Sequence, residues 1–73
     1  MSAVFRITSK KNYKKDGGLA INITTSDKKA TKILEEDRID TTNLNLSSLY
    51  GVMYDISHTL AEYGINTIFV VGE

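Results

Sequence analysis

Two segments near the start of the chain alternate between apolar and polar positions, residues 3–9 and residues 19–24. Their odd-numbered positions are apolar in both cases: Ala3, Phe5, Ile7, Leu19, Ile21 and Ile23. A period of two, with aromatic and β-branched residues on one face, is typical of strands that bury one side. The pattern therefore predicts two strands whose odd-numbered residues face the core.

The connection between these strands is basic and ends in Asp16-Gly17-Gly18, a strong turn signal because glycine accepts positive φ. We therefore expect a hairpin. For both apolar sets to share one face, the numbers of paired residues must add to an even number. A two-residue turn would pair Lys15 with Gly18 and separate the two sets. We expect a three-residue bulged turn over 16–18 or a longer basic loop.

Residues 26–36 fit a helix better than a strand. Ser26 is a suitable N-cap, Asp27 suits a first turn, and helical spacing groups three apolar residues on one face, Ala30, Ile33 and Leu34. The acidic end over 35–37 opposes the helix dipole. We favour a short helix, and the alternative is a third strand. Residues 37–45 read as a polar connection.

The clearest element is a helix over 46–63. Its apolar residues are spaced by three and four without interruption, and they are Leu46, Leu49, Met53, Ile56, Leu60 and Tyr63. Asn45 is a natural N-cap, and Gly64 suits the left-handed position after the last turn. In that arrangement Ile65 would pack back on Leu60.

The chain closes with a β-rich apolar run, which predicts a strand over 67–72. A run without alternation indicates a strand buried on both faces, or one with a face covered by a partner. The whole pattern predicts one α+β domain over 1–73 in the order β-β-α-α-β, with the main helix packed across one face of a small sheet. The order β-β-β-α-β is the alternative.

Composition narrows the class of protein. The 73 residues are 41% hydrophobic and 25% charged, which are ordinary values for a globular domain. There is no cysteine, which excludes disulfides and thiolate metal sites. No apolar run approaches the length of a membrane helix, and the N-terminus does not resemble a signal peptide, so we expect a cytoplasmic protein. Residue usage rich in Lys, Asn, Ile, Thr and Ser favours a bacterial or bacteriophage accessory protein.

The sequence gives little indication of a catalytic site. The single histidine, His58, shares a helix stripe with Asp55 and Glu62, the spacing of ordinary surface charge pairs. A metal or proton-transfer site would need further ligands and a pocket. No nucleophile elbow, phosphate-binding loop or dinucleotide motif occurs. We therefore expect no enzyme activity, no cofactor and no metal site.

Charge is divided between the two halves of the chain. Residues 1–32 carry eight basic and two acidic residues, whereas residues 33–73 carry one basic and seven acidic residues. The basic loop places lysines around an aromatic residue, and the set is Lys10, Lys11, Tyr13, Lys14 and Lys15. Such a set predicts at most weak, salt-sensitive, sequence-nonspecific nucleic-acid binding, and the simpler interpretation is a solvated hairpin tip.

The tyrosines give a different candidate surface. Tyr50 and Tyr54 are one turn apart on the long helix, with Gly51 between them. Either they complete the domain's own core, or they join Tyr13 in a partner-binding surface, since protein interfaces favour tyrosine. We expect a small non-enzymatic interaction module: an inhibitor, adaptor or regulator that docks on another protein. A homodimer formed through the helix or the C-terminal strand is a further candidate interaction.

Overall fold

The computed structural model describes residues 1–12 and 18–72. It contains three strands and two helices in the order β1 (Ser2–Asn12), β2 (Gly18–Thr24), α1 (Lys28–Glu36), α2 (Leu46–Ala61) and β3 (Asn66–Val71). The predicted α+β class and the order β-β-α-α-β are confirmed. The alternative with a third strand in place of α1 is wrong.

The hairpin of β1 and β2 has the parity that the apolar pattern predicts. Ile7 pairs with Ile23 and Ser9 with Ile21, so paired numbers add to an even number. The ladder continues to Asn12 and Gly18, which means that the connection runs through residues 13–17. This register is that of the longer loop and excludes the three-residue turn over 16–18. The structure of the loop itself lies outside the described residues.

The sheet has the strand order β2-β1-β3, with β1 antiparallel to β2 and parallel to β3. Both helices cover the face that carries the odd-numbered strand residues, where Phe5 packs against Phe69 with ring centroids 5.6 Å apart. The buried core on this side consists of Ala3, Phe5, Ile21, Ile23, Ala30, Ile33, Leu34, Leu44, Leu49, Ile56, Leu60 and Ile65. The even-numbered residues form the opposite, open face of the sheet.

Helix α1 begins one residue later than the sequence suggests. Asp27, not Ser26, is the N-cap, and its Oδ1 accepts a hydrogen bond from the Ala30 N–H at 2.9 Å. The shift follows from Thr25, whose hydroxyl donates to the Val4 carbonyl and accepts from the Asp27 N–H. The bond to Val4 extends the contact with β1 past the end of β2. The acidic end of α1 is tolerated because its apolar face is buried.

Helix α2 begins at the predicted residue and ends at Ala61, two residues earlier than predicted, and both predicted capping residues are present. Asn45 caps it by accepting a hydrogen bond from the Ser48 N–H at 2.9 Å. At the other end Gly64 has a φ of 75°, and the Ile65 N–H donates to the Leu60 carbonyl at 3.0 Å. This is the Schellman arrangement, and it turns the chain directly into β3.

The apolar stripe of α2 is buried only along its middle. Leu49, Ile56 and Leu60 are buried, whereas Leu46 and Tyr63 at its two ends are exposed, so the prediction of one continuous buried stripe is wrong there. At about 100° per residue, the first and last positions of the stripe differ by about 100° around the helix axis. The ends therefore turn out of the core on opposite sides.

The two outer edges of the sheet differ. At the β2 edge, Ile21 and Leu44 exchange two backbone hydrogen bonds of 2.8 Å, and the Ile23 N–H donates to the Thr41 carbonyl. Strand β3 forms the other edge, and Ile68, Val70 and Val71 are exposed there. The prediction that this strand is buried on both faces within the domain is wrong. Its alternative, a face covered by a partner, stays a prediction.

Candidate functional site

Helix α2 is fixed to the sheet at both ends. Its N-terminus follows Leu44, which pairs with Ile21 at the outer edge of β2. Its C-terminal half is tied to β3 by a hydrogen bond of 2.9 Å between the hydroxyls of Ser57 and Thr67. With the buried face held in this way, the side of α2 that points to solvent is a defined surface.

That solvent side carries large apolar and aromatic side chains. Leu46, Tyr50 and Tyr54 follow one another at intervals of four residues, and their exposed fractions are 69%, 75% and 68%. Residues spaced by four lie on the same side of a helix. The interpretation in which the two tyrosines complete the domain's own core is therefore excluded.

The same stretch carries no charge. From Thr41 to Tyr54 the sequence contains no Lys, Arg, Asp or Glu. A helix at the surface of a globular protein normally places charged and polar residues on its outer side. We name the outward set Leu46, Tyr50, Gly51 and Tyr54 the α2 face. It lacks the solubilising charges that an exposed helix side usually has.

Gly51 leaves one side of the α2 face without a side chain. A methyl group at the Gly51 Cα would meet no atom within 4 Å, so no neighbour within the described residues requires glycine there. Glycine in a helix interior costs about 1 kcal/mol relative to alanine. The missing side chain leaves bare backbone next to Tyr54, which lies three residues further along the helix.

The C-terminal border of the α2 face is polar and acidic. The His58 ring stacks on Tyr54, with ring centroids 5.9 Å apart and planes inclined by 5°. His58 Nε2 lies 3.8 Å from Glu62 Oε1, and both side chains are largely exposed. Asp55 is exposed as well. Over residues 1–12 and 18–72 no three His, Asp or Glu side chains group closely enough to hold a metal ion.

Most of the basic loop lies outside the residues that the structure describes. Tyr13, Lys14 and Lys15 lie outside the described residues, and the Lys11 side chain does too. Lys10 is exposed, and it belongs to the even-numbered residues of β1, which face away from the helices. The predicted grouping of Tyr13 with Tyr50 and Tyr54 stays a prediction.

A shallow cleft lies between α1 and the outer edge of β2. Its floor is apolar and its rim carries hydroxyls and one carboxylate, and the lining residues are Phe5, Ile23, Thr24, Thr25, Thr31, Leu34, Glu35, Ile39, Thr41 and Thr42. Among the residues that the structure describes, Glu35 is the ionisable residue in this lining.

Within the α2 face, Leu46 is the residue that the sequence interpretation misplaced, since its spacing assigned it to the core. The sequence signal that could have placed Leu46 at the surface is the absence of charged residues around it. A surface helix must expose one side, and where that side has no charged residues, uncharged residues such as Leu46 must form it.

Comparison with models of known protein families, with curated proteins and with solved structures finds no match. Within the described part of the chain, neither α1 nor α2 has the length and apolar character of a membrane-spanning helix.

Proposed function

We propose that this protein is a small non-enzymatic interaction module, an inhibitor, adaptor or regulator, that docks on another protein through the α2 face. The observation that carries the proposal is the exposed, uncharged stripe of Leu46, Tyr50 and Tyr54. Exposed apolar patches are characteristic of interaction sites, and tyrosine is among the residues that supply most binding energy.

The border of the face defines the partner's chemistry. Asp55 and Glu62 lie beside the aromatic stripe and are exposed, and α2 carries no Lys or Arg. We expect the partner to present an apolar patch flanked by lysine or arginine, with hydrogen-bond acceptors for the tyrosine hydroxyls. The flanking charges speed association, while the tyrosines supply the affinity.

Gly51 supports a close approach by the partner. A partner backbone or side chain can reach the helix backbone at Gly51, beside Tyr54. This role would account for a glycine in a helix interior where no neighbour requires one. The alternative, nucleic-acid binding by the basic loop, rests on residues that are mostly outside the described part, and no observation favours it.

Site-specific photo-crosslinking tests the proposal. Tyr54 is replaced by p-benzoylphenylalanine, which keeps an aromatic ring at this exposed position and adds the photoreactive benzoyl group, and the control carries the same group at the exposed Lys29 of α1. Both proteins are irradiated in lysate of the source cells, with and without nuclease treatment, and in each case with and without excess unlabelled protein.

The expected result is a discrete protein adduct from position 54 that is absent from position 29 and is suppressed by the unlabelled competitor. Equal adducts from both positions, or no adduct from position 54, would contradict docking through the α2 face. An adduct that forms only without nuclease would instead support the nucleic-acid alternative.

A further inference from the structure

Strand β3 leaves a row of backbone groups without a partner. The N–H groups of Asn66 and Gly72 donate to carbonyls of β1, at 2.9 Å and 2.7 Å. Because alternate residues of a strand bond to the same neighbour, Ile68 and Val70 also face β1. The N–H and C=O groups of Thr67, Phe69 and Val71 therefore point away from the sheet, and no residue in 1–12 or 18–72 bonds to them.

The fold closes one edge of the sheet and not the other. Residues 41–44 supply the outer edge of β2 with three backbone hydrogen bonds of 2.8 Å. No comparable segment lies along β3 in the described structure. An unpaired strand edge is a template for another strand, and proteins usually guard it with charge, proline or a bulge.

Strand β3 has none of these protections. Residues 66–72 contain no charged residue and no proline, and the pairing with β1 runs without a bulge. Ile68 and Val70 are 47% and 38% exposed on the open face of the sheet. Val71 points to the helix side and is 88% exposed. The edge is therefore apolar on both faces as well as unpaired.

We propose that β3 pairs antiparallel with β3 of a second copy of this chain, about a two-fold axis through Phe69. In this register Phe69 faces its own copy, and Thr67 faces Val71 of the second copy. Each of these pairs exchanges both of its hydrogen bonds. All the outward backbone groups of Thr67, Phe69 and Val71 are then satisfied, and the two sheets form one sheet of order β2-β1-β3-β3-β1-β2.

Identical strands suit this register for two reasons. It places Ile68 opposite Val70 of the second copy on the open face, so that exposed apolar side chains cover each other. Because residues 66–72 are uncharged, no like charges come to lie opposite one another. A partner strand of another protein would have to match this neutral apolar pattern, whereas a second copy matches it by symmetry.

A neighbouring register, with the two-fold axis through Ile68, is less favourable because it leaves a backbone carbonyl without a donor. A shift that centres the two-fold axis on Ile68 would pair Val71 with Ile65 of the second copy. The Ile65 N–H already donates to the Leu60 carbonyl at 3.0 Å within its own chain. That register would leave a carbonyl of Val71 without a donor in each copy, so the axis through Phe69 is preferred to the axis through Ile68.

The dimer interface is separate from the α2 face and does not depend on the proposed function. Leu46, Tyr50 and Tyr54 stay on the outer side of α2 while the backbone edge of β3 makes the contact. Tyr50→Ala should therefore leave dimerisation unchanged. The failure of docking through α2 and the failure of pairing through β3 are distinguishable.

Light scattering coupled to size-exclusion chromatography measures the oligomeric state across protein concentrations of about 1 µM to 1 mM, the range in which a small interface associates. The decisive variant is Val71→Pro, since it removes an outward N–H without removing a bond to β1. The control is Val71→Thr, which keeps the N–H. We expect dimer for the native chain and Val71→Thr, and a loss of dimer for Val71→Pro at an unchanged far-UV spectrum. A native chain that stays monomeric up to the highest concentration would overturn the proposal.

Disulfide trapping tests the register without relying on proline. The chain has no cysteine, so the double variant Thr67→Cys/Val71→Cys carries the only thiols. Across the two-fold axis these positions are about 5.5 Å apart between Cα atoms, which suits a disulfide. Within one strand they are about 13 Å apart and cannot join. Oxidised dimers whose peptides link 67 to 71 are expected, and a dimer without this linkage would refute the proposed register.

Discussion

Substitution of leucine by alanine at two positions of α2 distinguishes the buried part of its apolar stripe from the exposed part. Leu60 has no exposed surface, while Leu46 is largely exposed although its spacing matches the stripe. Leu60→Ala should cost about 3–5 kcal/mol, because the buried site beside Ile65 has little freedom to collapse. Leu46→Ala should change the stability by less than about 0.5 kcal/mol, as exposed substitutions usually do.

The loss of stability expected for Leu60→Ala is large for a chain of this size. A domain of 73 residues has an expected stability of about 4–11 kcal/mol, so Leu60→Ala removes a substantial part of it. At about 4–8 °C for each kcal/mol, the melting temperature should fall by at least about 12 °C. Thermal and urea denaturation followed by circular dichroism measure both variants. A loss at Leu46→Ala equal to that at Leu60→Ala would refute the exposed placement of the α2 face.

Three further substitutions test local features, each by urea denaturation. Asp27→Ala should cost about 1 kcal/mol because it removes the cap on the Ala30 N–H, whereas Ser26→Ala should have no measurable effect; the reverse order would contradict the assigned cap. Gly64→Ala should destabilise by about 1 kcal/mol because of its positive φ. Gly51→Ala should instead stabilise by about 0.5–1 kcal/mol and weaken docking on the partner, and a gain in both would argue against close approach there.

Much of the local structure could be predicted from sequence because it depends on neighbours along the chain. The parity of the hairpin register followed from the apolar residues of both strands, and the caps of α2 followed from Asn45 and Gly64. In each case a single stereochemical requirement, alternation or a left-handed backbone, is visible in the residue types.

The arrangement of the edges could not be predicted in this way. The polar connection after α1 lies along β2 and covers its edge, with Leu44 buried opposite Ile21, because these residues meet only in the folded chain. The same limit applies to β3, whose apolar run suggested burial on both faces. An apolar run of this kind indicates that both faces of the strand are buried. The residues that bury them can belong to the same chain or to a partner, and the run does not distinguish the two.

The candidate site was predicted in part. Tyr50 and Tyr54 were identified by residue type and spacing, and the choice between core and surface needed the position of α2 on the sheet. Leu46 was assigned to the core because the spacing of three and four averages 3.5 residues, slightly less than a helical turn. Over the length of α2 this difference rotates the first residue of the stripe into solvent.

The most direct test of the central claim is the affinity of the crosslinked partner, once purified, for the native chain and for Tyr50→Ala, measured by isothermal titration calorimetry. Because Tyr50 is 75% exposed, the substitution should leave the melting temperature within about 2 °C. A hot-spot tyrosine contributes about 2 kcal/mol or more, so affinity should fall by at least about 30-fold. Unchanged affinity at unchanged stability would show that the α2 face does not bind the partner.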